Sequence, residues 1–326
     1  MPIDWTPFVS LVRRHQRFLL TTHVRPDGDG LGSMLALADV LEGQGKAVQM
    51  TVASSLPPRY DFLDPDKQVR PFAPAGADYR GAEAVVVLDT GTWNQLGDFG
   101  NFLRSLQVPT AVIDHHLTQD HVGELMLVDT TAEATGRLVY EAVAALGGPL
   151  SPEAAHRLFV AVAMDTGWFR HSNTTPATFA LAEQLVEAGA KPTAAYEALF
   201  EQNTPGRLRL TGLVLERLTV VHGGRVVYSE VRRGDYEATG ALPQDTEDLV
   251  NYTRSVAGAE VGLLFMEQPR GGVKVSFRSR GLDVARLAER FGGGGHRLAS
   301  GATLDAPLAD ARARVLDAVG AALAPV

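Results

Sequence analysis

Acidic and imidazole side chains recur along this chain at the ends of apolar runs. RFLLTTHV leads into His23-Val-Arg-Pro-Asp27-Gly-Asp29, AVVVL stops at Asp89, and TAVI stops at Asp114-His115-His116. A fourth run, LFVAVAM, is followed by Asp165. Carboxylates gathered at one place repel and take up protons unless a cation compensates them. His23, Asp27, Asp29, Asp89, His115 and Asp165 together offer two imidazoles and four carboxylates, a set that suits two divalent ions. Hard oxygen with some imidazole favours manganese or magnesium, and the histidines tilt the choice toward manganese; zinc is the alternative.

Taken singly, each residue has an ordinary reading. His23 could simply end a strand, Asp27-Gly-Asp29 could be a turn with a helix N-cap, and Asp89 and Asp165 each precede Thr-Gly. Adjacent histidines after a buried strand are harder to dismiss. The common location of all of them at strand or helix ends decides for a metal centre.

A second group is basic. Gly292-Gly-Gly-Gly295-His296, then Arg297, follows a helical stretch, and Ser276-Phe-Arg278-Ser-Arg280 closes a strand-like one. One glycine would serve as a helix C-cap, whereas four also let the backbone approach an anion closely. An arginine beside such a segment reads as a bidentate phosphate clamp.

The elements that must position these groups follow from patterning. Ala84–Leu88, Thr110–Ile113 and Leu125–Val128 are short, nearly all-apolar runs, as strands buried on both faces of a parallel sheet are. Arg17–Val24 and Lys46–Ala53 are further strands; Leu31–Leu41, Glu133–Leu146, Pro152–Met164 and Thr175–Ala188 carry helical spacing. Strand–helix alternation predicts an α/β sheet covered on both faces, with its ligand crevice outside the carboxyl ends of the strands. Beyond a connector at 189–205 and a helix at Leu208–Leu218 the texture changes. A Val-rich hairpin at Val220–Val231, strands at Glu260–Met266 and Gly272–Arg278, and helices at Leu282–Phe291 and Leu308–Leu323 predict a smaller α/β domain.

Composition removes several classes. With 326 residues, 45% hydrophobic and 21% charged, the chain is long enough for two globular domains and is not disordered. It has no cysteine, so any metal is held by His, Asp or Glu. No apolar run nears membrane-helix length, and the N-terminus lacks the order of a secretory signal, so a cytoplasmic location is expected. A net charge of −8 argues against a long-duplex binder. The charge is uneven: 14 Lys and Arg face 23 Asp and Glu in residues 1–200, against 16 and 15 in residues 201–326. That division suits a metal site in front and an anion grip behind.

The order His23-x-x-x-Asp27-x-Asp29, Asp89, Asp114-His115-His116, Asp165, followed by GGGGH-x-x-A-x-G at 292–301, resembles the DHH phosphoesterase superfamily with its DHH-associated C-terminal domain. The length and the SFRSR segment resemble its branch of oligoribonucleases (nanoRNases) that also dephosphorylate 3′-phosphoadenosine 5′-phosphate (pAp). The resemblance implies a parallel-sheet DHH catalytic domain over 1–190, a helical linker over 191–219 and a smaller substrate-binding α/β domain over 220–326. It implies one metal on His23, Asp27 and Asp89 and another on Asp29, Asp89, His115 and Asp165, with Asp89 bridging. Asp114 would orient a histidine, and His116 would meet the substrate phosphate as acid or hydrogen-bond donor. Ser276, Arg278, Gly294, Gly295, His296 and Arg297 would hold the nucleotide.

The expected activity is hydrolysis of short single-stranded oligonucleotides to mononucleotides and of pAp to AMP, with two Mn2+ or Mg2+ ions. No long duplex or membrane partner is expected, and a homodimer is compatible with the sequence. A cyclic- or linear-dinucleotide phosphodiesterase is the enzymatic alternative. A metal-dependent nucleotide-binding protein without activity is the other, disfavoured because all six ligand positions are filled.

Overall fold

The computed structural model describes residues 3–73 and 79–323. It divides into two compact units, Met1–Gln202 and Asn203–Val326.

The first unit opens with helix α1 (Thr6–Arg14), strand β1 (Arg17–Thr21), α2 (Gly28–Gly43), β2 (Ala47–Val52), β3 (Val69–Pro71) and β4 (Ala84–Leu88). It continues with α3 (Gly97–Ser105), β5 (Thr110–Asp114), β6 (Leu125–Val128), α4 (Thr135–Leu146), α5 (Pro152–Asp165), α6 (Pro176–Glu187) and α7 (Pro192–Phe200). The strands form one sheet in the order β3-β2-β1-β4-β5-β6, every pair parallel. The chain winds outward from β1 in one direction and from β4 in the other, so the order reverses between these neighbours. Such a reversal opens a crevice at the carboxyl ends of the two strands.

All five residues of both β4 and β5 are buried, as apolar runs covered on both faces must be. On one face Phe18, Leu20, Val86 and Ile113 pack with Leu35, Leu138 and Leu158 from α2, α4 and α5. On the other, Leu19, Val85, Val87 and Val112 meet Phe99 and Leu103 of α3. The strand ends differ slightly from the sequence expectation. β1 stops at Thr21, three residues before Val24, which frees His23 from the ladder.

The second unit comprises α8 (Pro205–Glu216), β7 (Thr219–Val221), β8 (Val226–Val231), α9 (Arg233–Thr239), α10 (Val250–Ser255), β9 (Val261–Glu267) and β10 (Val273–Ser279). It ends with α11 (Val284–Glu289), β11 (Gly294–His296), β12 (Ala299–Leu304) and α12 (Leu308–Ala322). Its six-stranded sheet runs β11-β12-β10-β9-β8-β7 and is antiparallel except for the β8–β9 pair. Val275, Phe277 and Phe265 face a core with α11 and α12, while Leu264 and Met266 face a smaller one with α8 and α10. The glycine-rich segment contributes the edge strand β11. Among the described residues no helix is long and apolar enough to cross a membrane.

Candidate metal centre and phosphate face

The acid and imidazole groups of the first unit converge. His23, Asp27 and Asp89 each place one ligand atom within 4.8 Å of the others, and so do Asp29, His115 and Asp165, and Asp89, His115 and His116. His23 Nε2 lies 3.4 Å from Asp89 Oδ2 and 3.7 Å from Asp27 Oδ1. His115 Nε2 lies 3.6 Å from Asp165 Oδ2, 3.7 Å from Asp89 Oδ1 and 3.8 Å from Asp29 Oδ2. These gaps are long for hydrogen bonds but are of the size expected for donors sharing one cation at roughly 2.0–2.3 Å, which stand about 3 to 4 Å apart.

Each group is delivered by a different element. Asp89 follows β4 directly and takes a left-handed backbone, φ 61°, which turns the chain at the strand end. Asp27 caps α2, its Oδ1 accepting from the N–H groups of Asp29 (3.0 Å) and Gly30 (3.1 Å). The capping role that its sequence suggested therefore coexists with its approach to His23. Asp165 is the last residue of α5. His23 Nδ1 donates to Val24 O at 3.0 Å and His115 Nδ1 donates to Ala132 O at 3.1 Å. Those backbone bonds engage Nδ1 and aim Nε2 at the carboxylates, the orientation a metal ligand requires.

The electrostatics favour cations here. Burial, reinforced by the charges of Asp89, Asp165 and Asp27, holds the Asp29 carboxyl well above its ordinary value. Burial with Asp89 and Asp27 also pushes Asp165 up to about 6, although His115 opposes the shift. Burial works against a charged His23, yet its contacts with Asp27 and Asp89 outweigh that and push it up to about 10. Protons thus gather where positive charge is missing, as uncompensated carboxylates require. The space fits as well. A Cβ at Gly30 would lie 3.2 Å from His23 Nε2, 3.3 Å from Asp89 Oδ2 and 2.4 Å from Thr22 Oγ1, a buried hydroxyl with no partner among the described residues. The donor types, their spacing and this side-chain-free floor fit a divalent-ion site.

Asp114 behaves differently from its neighbours. Its Oδ1 accepts from the His115 N–H (2.9 Å), the His116 N–H (3.2 Å) and His116 Nδ1 (2.7 Å), and its Oδ2 accepts from Gln119 Nε2 (2.6 Å). These bonds hold the Asp114 carboxyl below its usual value despite burial. The bond to Asp114 pushes His116 up to about 9 against burial. The His116 side chain is 48% exposed, so its second nitrogen is open to a substrate.

Several supporting residues were not anticipated. The N–H groups of Thr135 and Gly136, at the start of α4, donate to Asp29 Oδ2 (2.7 Å) and Oδ1 (2.9 Å). A helix N-terminus thereby steadies a carboxylate that is almost wholly buried. The Thr135 hydroxyl donates to Asp89 Oδ1 at 2.9 Å, and Ser33 donates to Asp29 Oδ1 at 3.2 Å. Thr135 is 106 positions from Asp29, so only its place at a helix start could have signalled it. Trp168 and Phe169 pack against Phe159, and Trp168 also against Tyr196.

In the second unit, cross-strand pairing places four of the six expected nucleotide-holding residues on one sheet face. His296 pairs with Ala299, Ala299 with Arg278, and Arg278 with Gly262; one step along, Gly294 pairs with Gly301 and Gly301 with Ser276. Paired residues point to the same side of a sheet and alternate residues share a face. His296, Gly294, Arg278 and Ser276 therefore line one surface floored by Ala299, Gly301 and Gly262. Gly295, paired with Ser300, faces the other way. Arg297 lies in the turn after β11, its guanidinium donating to Gly281 O at 3.3 Å. Packing explains part of the glycine run. A Cβ at Gly293 would meet Gly301 O at 2.1 Å and one at Gly295 would meet Ser300 Cα at 2.7 Å, whereas Gly294 faces open space.

Comparison with known proteins agrees with this arrangement. Residues 17–162 match the model of the DHH family, N-terminal domain, and residues 223–324 match that of the DHHA1 domain. Over 306 residues, 92% of this chain and 88% of the relative, the sequence is 34% identical to the bifunctional oligoribonuclease and PAP phosphatase NrnA of Thermus thermophilus.

The chain belongs to the DHH family.

It is accordingly a hydrolase, a DHH phosphoesterase. Its fold is shared with an exopolyphosphatase-related protein from Bacteroides fragilis (TM-score 0.90, 23% identity, 97% of this chain and 95% of that one). It is also shared with RecJ in complex with Mn2+ from Thermus thermophilus (TM-score 0.54, 18% identity, 99% of this chain, 56% of that one).

Proposed function

We propose that this DHH phosphoesterase binds two divalent ions, manganese by preference and magnesium as a substitute, and hydrolyses short single-stranded oligoribonucleotides to mononucleotides and pAp to AMP. The observation that carries the reading is the convergence of three ligand triads, one containing both Asp89 and His115 and linked by each of these to one of the other two. The substrate class is supported by the 34% identity with a relative named as a bifunctional oligoribonuclease and PAP phosphatase, and by a second of that name from Bacillus subtilis at 26%.

In this reading residues 1–190 form the catalytic domain, 191–219 link it, and 220–326 hold the nucleotide. One ion rests on His23, Asp27 and Asp89 and the other on Asp29, Asp89, His115 and Asp165. Bound there, such cations supply Lewis acidity to a phosphoryl oxygen and charge that favours ionised water. The protein's own groups do the rest. Asp29 and Asp89 are held in register by Thr135, and His115 is aimed by its bond to Ala132. His116, charged and aligned by Asp114, donates a hydrogen bond to the phosphate or a proton to the departing ribose oxygen. Arg278, Ser276 and His296, sharing one sheet face, grip a nucleotide phosphate.

Product analysis tests this. End-labelled di- to pentaribonucleotides, pAp and a cyclic dinucleotide are incubated with the protein, with and without manganese. Mononucleotides from the linear substrates and AMP from pAp, both lost on chelation, are expected. Exclusive cleavage of the cyclic dinucleotide would reassign the substrate, and metal-independent turnover would reject the metal assignment.

A further inference from the structure

The sheet face that carries Arg278 holds a second cation that the sequence motifs do not include. Gly262 of β9 pairs directly with Arg278 of β10, so the missing Gly262 side chain would rise beside the Arg278 side chain. That space is filled by the end of α10. A Cβ at Gly262 would stand 2.6 Å from the backbone N of Arg254, 3.0 Å from its Cα and 2.4 Å from Thr253 Oγ1. Gly262 is thus the notch that seats Arg254 next to Arg278. Arg280 fixes it there by donating from Nη2 to Arg254 O at 3.3 Å, and Thr253 is buried beneath it.

Neither guanidinium is consumed by an ion pair among the described residues. Arg278 Nη1 donates only to its own strand, at Phe277 O (3.1 Å), and Arg254 is exposed. Burial and the nearby Arg254 charge both lower the Arg278 pKa, and the Asp248 carboxylate offsets this only in part. Two guanidinium groups set side by side present forked donors that a single anion can engage together. On the far side of Arg278, Ala299 leaves the floor low as far as His296.

We infer that Arg254 and Arg278 form a paired-guanidinium site for a terminal phosphate monoester, so that this chain favours substrates bearing a free terminal phosphate over those ending in a hydroxyl. A phosphate monoester carries close to two charges at neutral pH and offers three acceptor oxygens, enough to engage both forks; an internal diester carries one charge and fewer free oxygens. The site deepens the proposed nucleotide phosphoesterase activity and rests on it for its readout by turnover.

The test compares Arg254→Gln and Arg254→Lys with the parent on two diadenylates, one with a 5′-phosphate and one without. Circular dichroism melting verifies that the variants fold. Arg254→Gln is expected to raise KM for the phosphorylated dinucleotide about tenfold, to leave KM for the other within about twofold, and to leave kcat for both unchanged. Arg254→Lys is expected to recover part of the loss. An equal change on both substrates, or none on either, overturns the site. A parallel titration of the full chain with AMP and with adenosine needs no turnover. Tighter binding of AMP that disappears in Arg254→Gln supports the site even if the parent cleaves neither dinucleotide, in which case only the proposed substrate reading fails. Equal affinity for AMP and adenosine in the parent overturns it.

Discussion

The two units of this chain handle charge in opposite ways. The first sinks Asp29, Asp89 and the partly covered Asp165 below the rim of a parallel sheet, surrounds them with fixed donors, and leaves a net demand for cations. The second sets Arg278 and His296 on an antiparallel sheet face floored by glycine and alanine, with Arg254 of α10 against Gly262, and leaves a demand for anions. The difference follows from topology. Parallel strands with helical crossovers bring several chain ends to one crevice, so ligands distant in sequence meet there. Antiparallel strands instead line up side chains on a broad surface, where small residues set how closely a ligand lies.

If the contrast is functional, damage to one unit should not mimic damage to the other. The largest effect is expected from Asp89→Asn, which removes the charge common to two of the triads. A loss of about a thousandfold or more in kcat is expected, with manganese affinity reduced in the same titration. Near-parental turnover would break the shared role of Asp89.

Next comes Arg278→Ala in the other unit. Losing a charge-assisted contact of roughly 1.5–3 kcal/mol should lower kcat/KM for pAp by about ten- to a hundredfold while manganese affinity stays at the parental value. A matching loss of manganese affinity would erase the distinction between the units.

Thr135→Val sharpens the comparison inside the first unit. It removes the hydroxyl on Asp89 but keeps the N–H on Asp29. Manganese affinity should fall about tenfold, with KM for pAp at saturating metal little changed.

The smallest effect is one of pH. Asp165 sits at about 6 in the fold against 3.8 for the free group. A carboxyl raised in this way adds stability that is complete below about pH 4 and is lost as pH rises through about 6. The metal-free chain should therefore melt at progressively lower temperature across that window, and Asp165→Asn should flatten the trend. Manganese affinity should climb over the same range as the cation displaces the proton. Identical pH slopes for the parent and Asp165→Asn would contradict the burial of that carboxyl among others.

Much of this was legible in the sequence because the signals were local. The nearly all-apolar runs at Ala84–Leu88 and Thr110–Ile113 mark strands buried on both faces, and their ends announced Asp89 and Asp114. What stayed hidden depended on tertiary approach. Thr135 and Gly136 meet Asp29 only because α4 begins beside the first turn of α2. Gln119 is an ordinary polar residue until its amide reaches Asp114. The glycine run was legible as special but not divisible. Gly293 and Gly295 answer to the neighbouring β12 backbone, whereas Gly292 and Gly294 face open space. Arg254 was hidden for the same reason: nothing near it in sequence places it beside Arg278, and the notch at Gly262 is visible only once the strands pair.

The most direct test of the central claim is the location of manganese by anomalous scattering in crystals grown with the metal. The account predicts two peaks per chain that share Asp89, one against His23 and Asp27 and the other against Asp29, His115 and Asp165. A single peak, or none touching Asp89, would contradict it.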